Sequence, residues 1–230
     1  MLKTKLSSKE NVTCFIQARL GSTRLPKKIL YKLSDISILE MVIKRIKKSK
    51  YIDQIVILTT TKIEDDPIVE LCLDKQYDFF RGSENDVLNR FYKASLIYPS
   101  NYIVRLNSDC PFIDWDLIDE CISIASLDHK YDYVSTILSN SFPIGQHVEV
   151  FKSDLISLLN SKALDPIHRE HVTPYIYQNR NLFNIYSLSS DIDLSCYRLT
   201  IDYEQDYLMF KELIGKLNEQ LPPFKSIINV

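Results

Sequence analysis

A short cationic segment near the amino terminus has residue types and spacing suited to binding an anion. The segment contains five cations: Arg19, Arg24, Lys27, Lys28 and Lys32. No acidic residue lies between Glu10 and Asp35, although the whole chain is slightly acidic. Guanidinium and ammonium groups that converge with the hydroxyls of Ser22 and Thr23 and with loop N–H groups around Gly21 suit a polyphosphate. A solvated basic turn has the same composition, so the residue types alone leave both interpretations open.

Two aspartates stand where a metal-binding carboxylate is expected. Asp109 follows the apolar run 102–107, and Asp202 follows the run 198–201. Two carboxylates that converge from separate strand ends would hold Mg²⁺, which prefers oxygen ligands and also takes phosphate oxygens from a substrate. An aspartate after a strand is also a common turn former or helix cap, so each one alone is weak evidence.

Apolar runs alternate with amphipathic segments along the chain, and this alternation indicates the elements that position these residues. The predicted strands are 12–18, 54–60, 102–107, 131–136, 147–151, 183–188 and 198–201. The predicted helices are 36–46, 66–75, 85–97, 116–125, 154–159, 169–179 and 204–217. The pattern predicts an α/β fold with a mostly parallel sheet covered on both faces. We expect one domain over 1–230, with a less regular lobe at about 139–193, and a ligand at the carboxyl ends of the strands.

Composition excludes several classes of protein. Four glycines in 230 residues allow neither a GxGxxG fingerprint nor a GxxxxGK[ST] phosphate loop. A formal net charge of −2 gives no global attraction to nucleic acid or anionic lipid, so neither is expected as a partner. The five cysteines form no CxxC spacing, which predicts reduced thiols in a cytoplasmic protein. The basic amino-terminal residues lack the apolar stretch of a signal peptide, and no run of 18 apolar residues occurs.

The cationic segment resembles the opening motif of the CMP-sugar synthetase type of cytidylyltransferase. IQARLGSTRLPKKIL is similar to the pattern I-x-A-R-x-x-S-x-R-x-P-x-K. Six further blocks occur in family order: TTTKIEDDPIVELC, FFRGSENDVLNRFYKA, YIVRLNSDCPFID, FPIGQHVEVF, REHVTPYI and RLTIDYEQDY. The chain resembles most the branch of the spore-coat polysaccharide biosynthesis protein F, which usually has Gly where Lys27 stands. The resemblance implies a three-layer nucleotidyltransferase fold of the GT-A and Rossmann-like kind, with a mixed sheet and a small inserted lobe.

The resemblance also implies roles for individual residues. It implies catalytic cations that neutralise the charge of departing pyrophosphate: Arg19, Arg24 and Lys28. It implies Asp109 and Asp202 as ligands of Mg²⁺. It implies nucleotide-binding residues at two strand ends and in the two blocks beside them: Gln17, Ala18, Gly21, Ser22, Thr23, Thr59, Thr60, Arg81, Gly82 and Asp86. The threonines would equally be ordinary strand residues, and Asp86 would equally favour the start of a helix.

The acceptor side departs from the family pattern. The segment Gly145–Glu149 resembles P-x-G-x-D-V-E, but His147 replaces the usual Asp. The implied acceptor-binding residues are Arg105, His147, Glu149, Arg169 and His171. Arg105 lies in an apolar run and needs a carboxylate or phosphate partner, so either a structural or a site role is open. His171 and its neighbours would equally be solvated residues on a helix surface.

Three functions are therefore compared. The first is transfer of CMP from CTP to a sugar, sugar acid or phosphorylated acceptor, with release of pyrophosphate, in surface polysaccharide synthesis. The second is a GT-A-type glycosyltransferase, although the aligned position reads Asn107-Ser108-Asp109 rather than Asp-x-Asp. The third is a non-catalytic nucleotide-binding protein. Related synthetases are often homodimers, so the resemblance implies a dimer that acts on CTP and a small-molecule acceptor.

Overall fold

A mixed sheet of seven strands forms the middle layer of the protein, as seen in a computed structural model that describes residues 10–217 and 223–227. The strands are β1 (Val12–Gln17), β2 (Lys32–Leu33), β3 (Ile36–Ser37), β4 (Gln54–Thr60), β5 (Asp78–Gly82), β6 (Tyr102–Asn107), β7 (Tyr133–Ser135), β8 (Glu149–Lys152) and β9 (Ile185–Ser187). The helices are α1 (Ile38–Ile46), α2 (Asp66–Lys75), α3 (Val87–Ile97), α4 (Trp115–Ser126), α5 (Leu155–Lys162), α6 (Pro166–His171), α7 (Pro174–Gln178), α8 (Glu204–Lys216) and α9 (Phe224–Ile227). The absence of a signal peptide is predicted largely from residues 1–9, which lie outside the described residues.

The order of the strands places β1 near the middle of the sheet. The order is β5-β4-β1-β6-β8-β7-β9, and β2 pairs with β3 in a separate small hairpin. Strands β5, β4, β1 and β6 are parallel, whereas β8 runs antiparallel to both β6 and β7. The mostly parallel mixed sheet predicted from the sequence is therefore confirmed. The carboxyl ends of four parallel strands open toward the same edge.

Alternate residues of the strands supply two apolar layers, one on each face of the sheet. Along β1, Cys14 and Ile16 pack on the face covered by α1, α2 and α4, whereas Phe15 packs on the face covered by α3 and α5. A third apolar cluster joins the small hairpin to α8. The predicted arrangement of helices on both faces is confirmed, and this packing holds the ends of the strands in place.

Capping residues explain where two of the helices that cover the sheet, α1 and α3, begin. Ser37 and Glu40 form a reciprocal capping box at α1, which satisfies two free N–H groups. The carboxylate of Asp86 accepts a hydrogen bond from the N–H of Asn89 and caps α3. The start of α3 is therefore held at the carboxyl end of β5.

The later part of the chain differs from two predicted elements. The predicted helix 169–179 is divided into α6 and α7, since Val172 adopts φ 72° and Pro174 begins the second helix. The predicted strand 198–201 is extended chain with one isolated bridge, from Ile144 to Arg198. Strands β8 and β9, which fall in the predicted lobe, pair within the main sheet. No helix of the described residues is long and apolar enough to cross a membrane.

Candidate active site

A cavity of about 700 Å³ lies at the carboxyl ends of β1 and β6. Thirteen of the predicted site residues line it: Gln17, Ala18, Arg19, Gly21, Ser22, Thr23, Arg24, Lys28, Asp86, Asp109, Arg169, His171 and Asp202. Seven predicted residues lie outside its lining: Thr59, Thr60, Arg81, Gly82, Arg105, His147 and Glu149. The fold thus brings together residues that are up to 185 positions apart in the sequence, from Gln17 to Asp202.

Lys28 joins the two aspartates that the sequence assigns to a metal. Its Nζ lies 2.7 Å from Asp109 Oδ2 and 2.8 Å from Asp202 Oδ1. The lysine side chain is 9% exposed. Burial alone would lower the pKa of Lys28, but the two carboxylates outweigh that effect and raise it above its ordinary value. The ammonium group is therefore charged, and the two carboxylates point at one position.

Asp202 is held by two further cations. Arg24 donates to its Oδ1 at 2.7 Å, and Arg198 donates to its Oδ2 at 2.6 Å. The backbone N–H of Asp202 donates to Asp206 Oδ2 at 2.8 Å. Burial would raise the pKa of Asp202, but its hydrogen bonds and the nearby positive charges, Lys28 first, lower it below its usual range. The carboxylate is consequently ionised and fixed in place.

The cationic loop takes its shape from backbone and carboxylate contacts. The N–H of Leu20 donates to Asp65 Oδ1 at 2.6 Å, and the N–H groups of Ser22 and Lys27 both donate to the carbonyl of Leu20. Lys27 adopts the left-handed conformation, with φ 58°, directly before the short 3₁₀ helix Lys28–Leu30. The positive φ in this loop falls on Lys27 and not on Gly21. This turn directs the side chain of Lys28 toward Asp109 and Asp202.

Acidic and basic residues meet at the other end of the cavity. Arg19 lies 3.5 Å from Glu84, and Glu84 also pairs with Lys62. Asp86 receives two hydrogen bonds from Arg169, at 2.9 and 2.6 Å. The pairing joins a residue predicted for the nucleotide to one predicted for the acceptor. It ties α6 to the start of α3.

Four predicted nucleotide residues lie at the ends of β4 and β5, outside the cavity lining, and three of them have other contacts. The Arg81 guanidinium donates to the carbonyls of Thr60 and Lys62, each at 2.7 Å, and pairs with Asp66 at 2.7 Å. The hydroxyl of Thr60 donates to Asp65, and Thr59 is buried. Gly82 packs against the side chain of Arg90, and a nucleotide role for these four residues stays a prediction.

Three predicted acceptor residues form a network next to the cavity. Arg105 and Glu149 face each other across β6 and β8 and form a buried ion pair. Arg105 also donates to Gln17 Oε1 at 2.9 Å, and Tyr133 donates to Glu149 Oε1 at 2.7 Å. The carboxylate that Arg105 requires is therefore supplied by the protein, and its contact with the cavity runs through Gln17.

The two predicted histidines differ in environment. His147 is partly buried, and this burial lowers its pKa below the ordinary value, so the ring is neutral at pH 7. Its charge environment includes Glu149, Arg105 and Asp109. His171 is exposed at the end of α6 and lines the cavity.

Sequence reasoning missed several residues that shape the site: Asp65, Glu84, Arg90 and Arg198. Asp65 and Arg90 are each 3% exposed. Both belong to blocks that were recognised as family-like, so the signal was present, but no local pattern distinguishes them from surface charges. Only tertiary packing reveals that Asp65 holds the cationic loop and that Arg90 lines the cavity.

The donor set at the aspartates fits a magnesium ion. The described residues contain no group of three or more His, Cys, Asp or Glu side chains that would enclose a metal ion by themselves. Mg²⁺ is commonly bound by one or two carboxylates together with substrate phosphates and water. Asp109 and Asp202 supply two such carboxylates beside a loop of cations.

Comparison with known proteins places this geometry in a family. The cytidylyltransferase family profile matches residues 13–226. The uncharacterised protein MJ1063 of Methanocaldococcus jannaschii is 44% identical over 200 residues, which is 86% of this chain and 81% of that protein. The spore coat polysaccharide biosynthesis protein SpsF of Bacillus subtilis is 36% identical over 217 residues, covering 91% of this chain and 89% of SpsF.

A solved structure agrees with both comparisons. A cytidylyltransferase from Leptospira borgpetersenii superposes with a TM-score of 0.91 at 33% identity, over 96% of this chain and 93% of that one. The nucleotidyltransferase fold predicted from the sequence is thereby confirmed. The chain belongs to the cytidylyltransferase family.

Proposed function

We propose that the protein transfers CMP from CTP to a sugar, a sugar acid or a phosphorylated acceptor in the synthesis of a surface polysaccharide, with release of pyrophosphate. The observation that carries the proposal is the convergence of Lys28, Asp109 and Asp202 at one end of the cavity. Cations and carboxylates meet there beside the loop residues Gly21, Ser22 and Thr23, which line the same cavity. Membership of the cytidylyltransferase family supports CTP as the nucleotide.

In the proposed reaction, an acceptor oxygen forms a bond to the α-phosphorus of CTP. The bond from the α-phosphorus to the bridging β-phosphate oxygen breaks, and pyrophosphate departs with that electron pair. Arg19, Arg24 and Lys28 stabilise the negative charge that develops on pyrophosphate. Such transfers depend mainly on positioning and on electrostatic stabilisation.

Magnesium is the proposed metal. Asp109 and Asp202 would hold it, because both are hard oxygen ligands and their carboxylates lie close enough together to share one cation, which is the ammonium of Lys28 in this structure. When bound, the ion would polarise the phosphates of CTP and neutralise part of their charge. Removal of divalent cations with EDTA is expected to stop pyrophosphate release, and added Mg²⁺ is expected to restore it.

The acceptor is proposed to bind beside Gln17, toward His147 and His171. His171 lines the cavity, and Gln17 connects the cavity to the Arg105–Glu149 pair. Both predicted acceptor arginines already have a carboxylate partner, Glu149 for Arg105 and Asp86 for Arg169. The neutral His147, in place of the family aspartate, leaves this side with one negative charge fewer than in related proteins.

The test is a pyrophosphate-release assay with each of the four nucleoside triphosphates, Mg²⁺ and a panel of sugars, sugar acids and phosphorylated metabolites. Turnover is expected with CTP. Turnover only with another base would overturn the proposal, and so would sugar transfer from a nucleotide-sugar in place of pyrophosphate release. Binding of CTP without turnover of any acceptor would favour a non-catalytic protein.

A pair of lysine variants tests the role of the loop. Lys28→Ala is expected to slow pyrophosphate release by about 100-fold, because one positioned cation contributes roughly 3 kcal/mol to such a step. The control is Lys211→Ala, which removes an exposed lysine from α8. A rate for the first variant within twofold of the parent would contradict the assignment.

The proposal also includes the oligomeric state of the protein and its location in the cell. We propose a homodimer, supported by exposed apolar side chains in the lobe at Ile167 and Leu182. Light scattering after size-exclusion chromatography measures this directly. We also propose a cytoplasmic location, supported by five free cysteines, four of them buried.

A further inference from the structure

Lys28 lies between the two carboxylates that are assigned to the metal, and its ammonium group bridges them. Nζ is 2.7 Å from Asp109 Oδ2 and 2.8 Å from Asp202 Oδ1. The lysine side chain is 9% exposed, so both contacts are largely shielded from water. A magnesium ion that used the same two oxygens would meet the ammonium directly, and two cations on shared oxygens repel each other. Lys28 and the metal would therefore compete for one position.

The oxygens of Asp202 offer the metal no position away from this competition. Both of them accept hydrogen bonds from cations: Oδ1 from Lys28 and Arg24, and Oδ2 from Arg198. A metal that takes an oxygen of Asp202 must compete with at least one of these three groups. Lys28 is the one that also holds Asp109, so its departure would release oxygens on both aspartates at once.

The charged side chains around the two aspartates balance one another. Five ion pairs join three cations to three carboxylates: Lys28, Arg24 and Arg198 to Asp109, Asp202 and Asp206. The formal charge of this group is zero, so a divalent cation gains little attraction from it. A triphosphate carries several negative charges that would offset the charge of the ion. The group therefore favours entry of the metal together with a triphosphate over entry of the metal alone.

The side chain of Lys28 is suited to a change of partner. It lines the same cavity as the loop residues Gly21, Ser22 and Thr23, so it borders the space that a phosphate group would fill. A lysine carries a compact charge on a flexible stem, whereas the guanidinium of an arginine is a rigid planar fork. The ammonium end can turn from the carboxylates to a phosphate while the loop backbone and the two arginines on Asp202 stay in place.

We propose that Lys28 blocks the metal position until a triphosphate draws its ammonium away, so that the protein takes up metal and nucleotide together and binds metal weakly without nucleotide. This inference rests on the proposed function, in which Asp109 and Asp202 are the metal ligands. Lys28 then has two partners in succession. It neutralises the paired carboxylates before the nucleotide binds, and it contacts phosphate afterwards.

The experiment measures Mn²⁺ binding without nucleotide, by electron paramagnetic resonance of the free ion, in the parent, Lys28→Met and Lys27→Met. Mn²⁺ takes the same kinds of oxygen ligand as Mg²⁺. We expect Lys28→Met to bind Mn²⁺ at least about 10-fold more tightly than the parent, because the ion no longer displaces an ammonium that makes two charge-assisted hydrogen bonds. Lys27→Met is the matched control, since it removes the same charge from the preceding, exposed residue. Its affinity for Mn²⁺ is expected to stay within about threefold of the parent.

Two further measurements locate the ion and guard against a damaged fold. The double variant Lys28→Met, Asp202→Asn is expected to lose the gain in Mn²⁺ affinity. In thermal denaturation, Mn²⁺ is expected to raise the melting temperature of Lys28→Met and to leave that of the parent nearly unchanged. Lys28→Gln removes the charge but keeps a hydrogen-bond donor, and it makes the same comparison if the methionine variant does not fold.

The outcomes separate this inference from the proposed function. Equal Mn²⁺ affinities in the parent and Lys28→Met would overturn the inference, and so would an equal gain in Lys27→Met, which would indicate a general effect of charge. A gain that survives Asp202→Asn would also overturn it, because the ion would lie elsewhere. The proposed function is tested independently by Mg²⁺-dependent release of pyrophosphate from CTP, whose presence or absence does not depend on the order in which metal and nucleotide bind.

Discussion

Replacement of Asp65 by alanine is expected to loosen the cationic loop without removing any group that faces the cavity. Asp65 is 3% exposed and does not line the cavity. Its Oδ1 accepts the N–H of Leu20 at 2.6 Å, and its Oδ2 accepts the hydroxyl of Thr60. The side chain therefore joins the start of the loop to the end of β4.

The magnitude follows from the two donors that lose their acceptor. Each buried donor left without a partner costs about 1–3 kcal/mol. The hydroxyl of Thr60 is free to rotate, whereas the backbone N–H of Leu20 is fixed. We therefore expect Asp65→Ala to reduce the free energy of unfolding by about 3 kcal/mol. Asp65→Asn keeps an oxygen for Leu20 and offers an amide donor to Thr60, so its loss is expected to be under about 1 kcal/mol.

Urea denaturation measures the stability of each variant, and titration with CTP measures its affinity for the nucleotide. Asp65→Ala is expected to weaken CTP binding as well as stability, since Leu20 immediately precedes the loop residues that line the cavity. Asp74→Ala serves as the control, because Asp74 is exposed on α2 and its ion-pair partner among the described residues is the exposed Lys75. If the alanine variant at position 65 kept the stability and CTP affinity of the parent, the carboxylate would not hold the loop and the reasoning would fail.

Three further predictions concern Glu149, His147 and Gly145, which lie on β8 or just before it. Glu149→Gln leaves the buried Arg105 without its counter-charge and is expected to cost about 3 kcal/mol in urea denaturation; an unchanged midpoint would contradict a structural role for the pair. Because burial lowers the pKa of His147 below its ordinary value, the unfolded chain binds a proton more readily than the folded chain does, so stability rises as the pH approaches about 6.5; His147→Gln is expected to flatten this rise when urea denaturation is measured at a series of pH values below about 6.5. Gly145→Ala is expected to lower the melting temperature because φ is 104° and the new Cβ would lie 2.3 Å from a backbone oxygen, while Gly215→Ala in open space on α8 is expected to raise it; equal shifts would contradict this account.

The central strands could be predicted from the sequence because strands that are buried on both faces consist mostly of apolar residues. Strands β1, β4 and β6 are nearly continuous apolar runs, as expected for strands covered on both faces. The rule that ligands lie beyond the carboxyl ends of such strands then predicts Asp109 and the cationic loop at the same edge of the sheet. Asp202 was predicted to converge with them from the end of a strand at 198–201; it does converge with them, but the segment before it is extended chain and not a strand of the sheet.

The partners of charged residues could not be predicted in this way. Arg105 faces Glu149 because β8 runs antiparallel beside β6 in one particular register. That register depends on the path of the chain between residues 108 and 148, which local patterns do not encode. The same limit applies to Arg169, whose carboxylate partner Asp86 is 83 residues away. Without this information, the sequence leaves Arg105 open between a structural role and a site role, and the resemblance implies that Arg169 binds the acceptor.

The predicted strand 198–201 is absent from the sheet because its tertiary contacts override its local sequence pattern. The segment before Asp202 has strand-like residues, yet its backbone bonds go to different partners: Leu199 donates to Ile144, and Ile201 donates to Asp109. These single bonds hold the segment extended without a ladder. They also bring Asp202 against the loop after β6, beside Asp109.

The arrangement around Asp202 bears on how the site would act. Its carboxylate accepts hydrogen bonds from Lys28, Arg24 and Arg198, so cations from two separate segments are gathered at one point before any nucleotide is bound. A site whose charges are already in position gains most of its electrostatic effect without reorganisation during the reaction. In the proposed function the same carboxylate would orient the cations and offer oxygens to a metal, so loss of Asp202 would remove both contributions at once. The effect of that loss on catalysis would therefore exceed the effect of removing any one of the three cations.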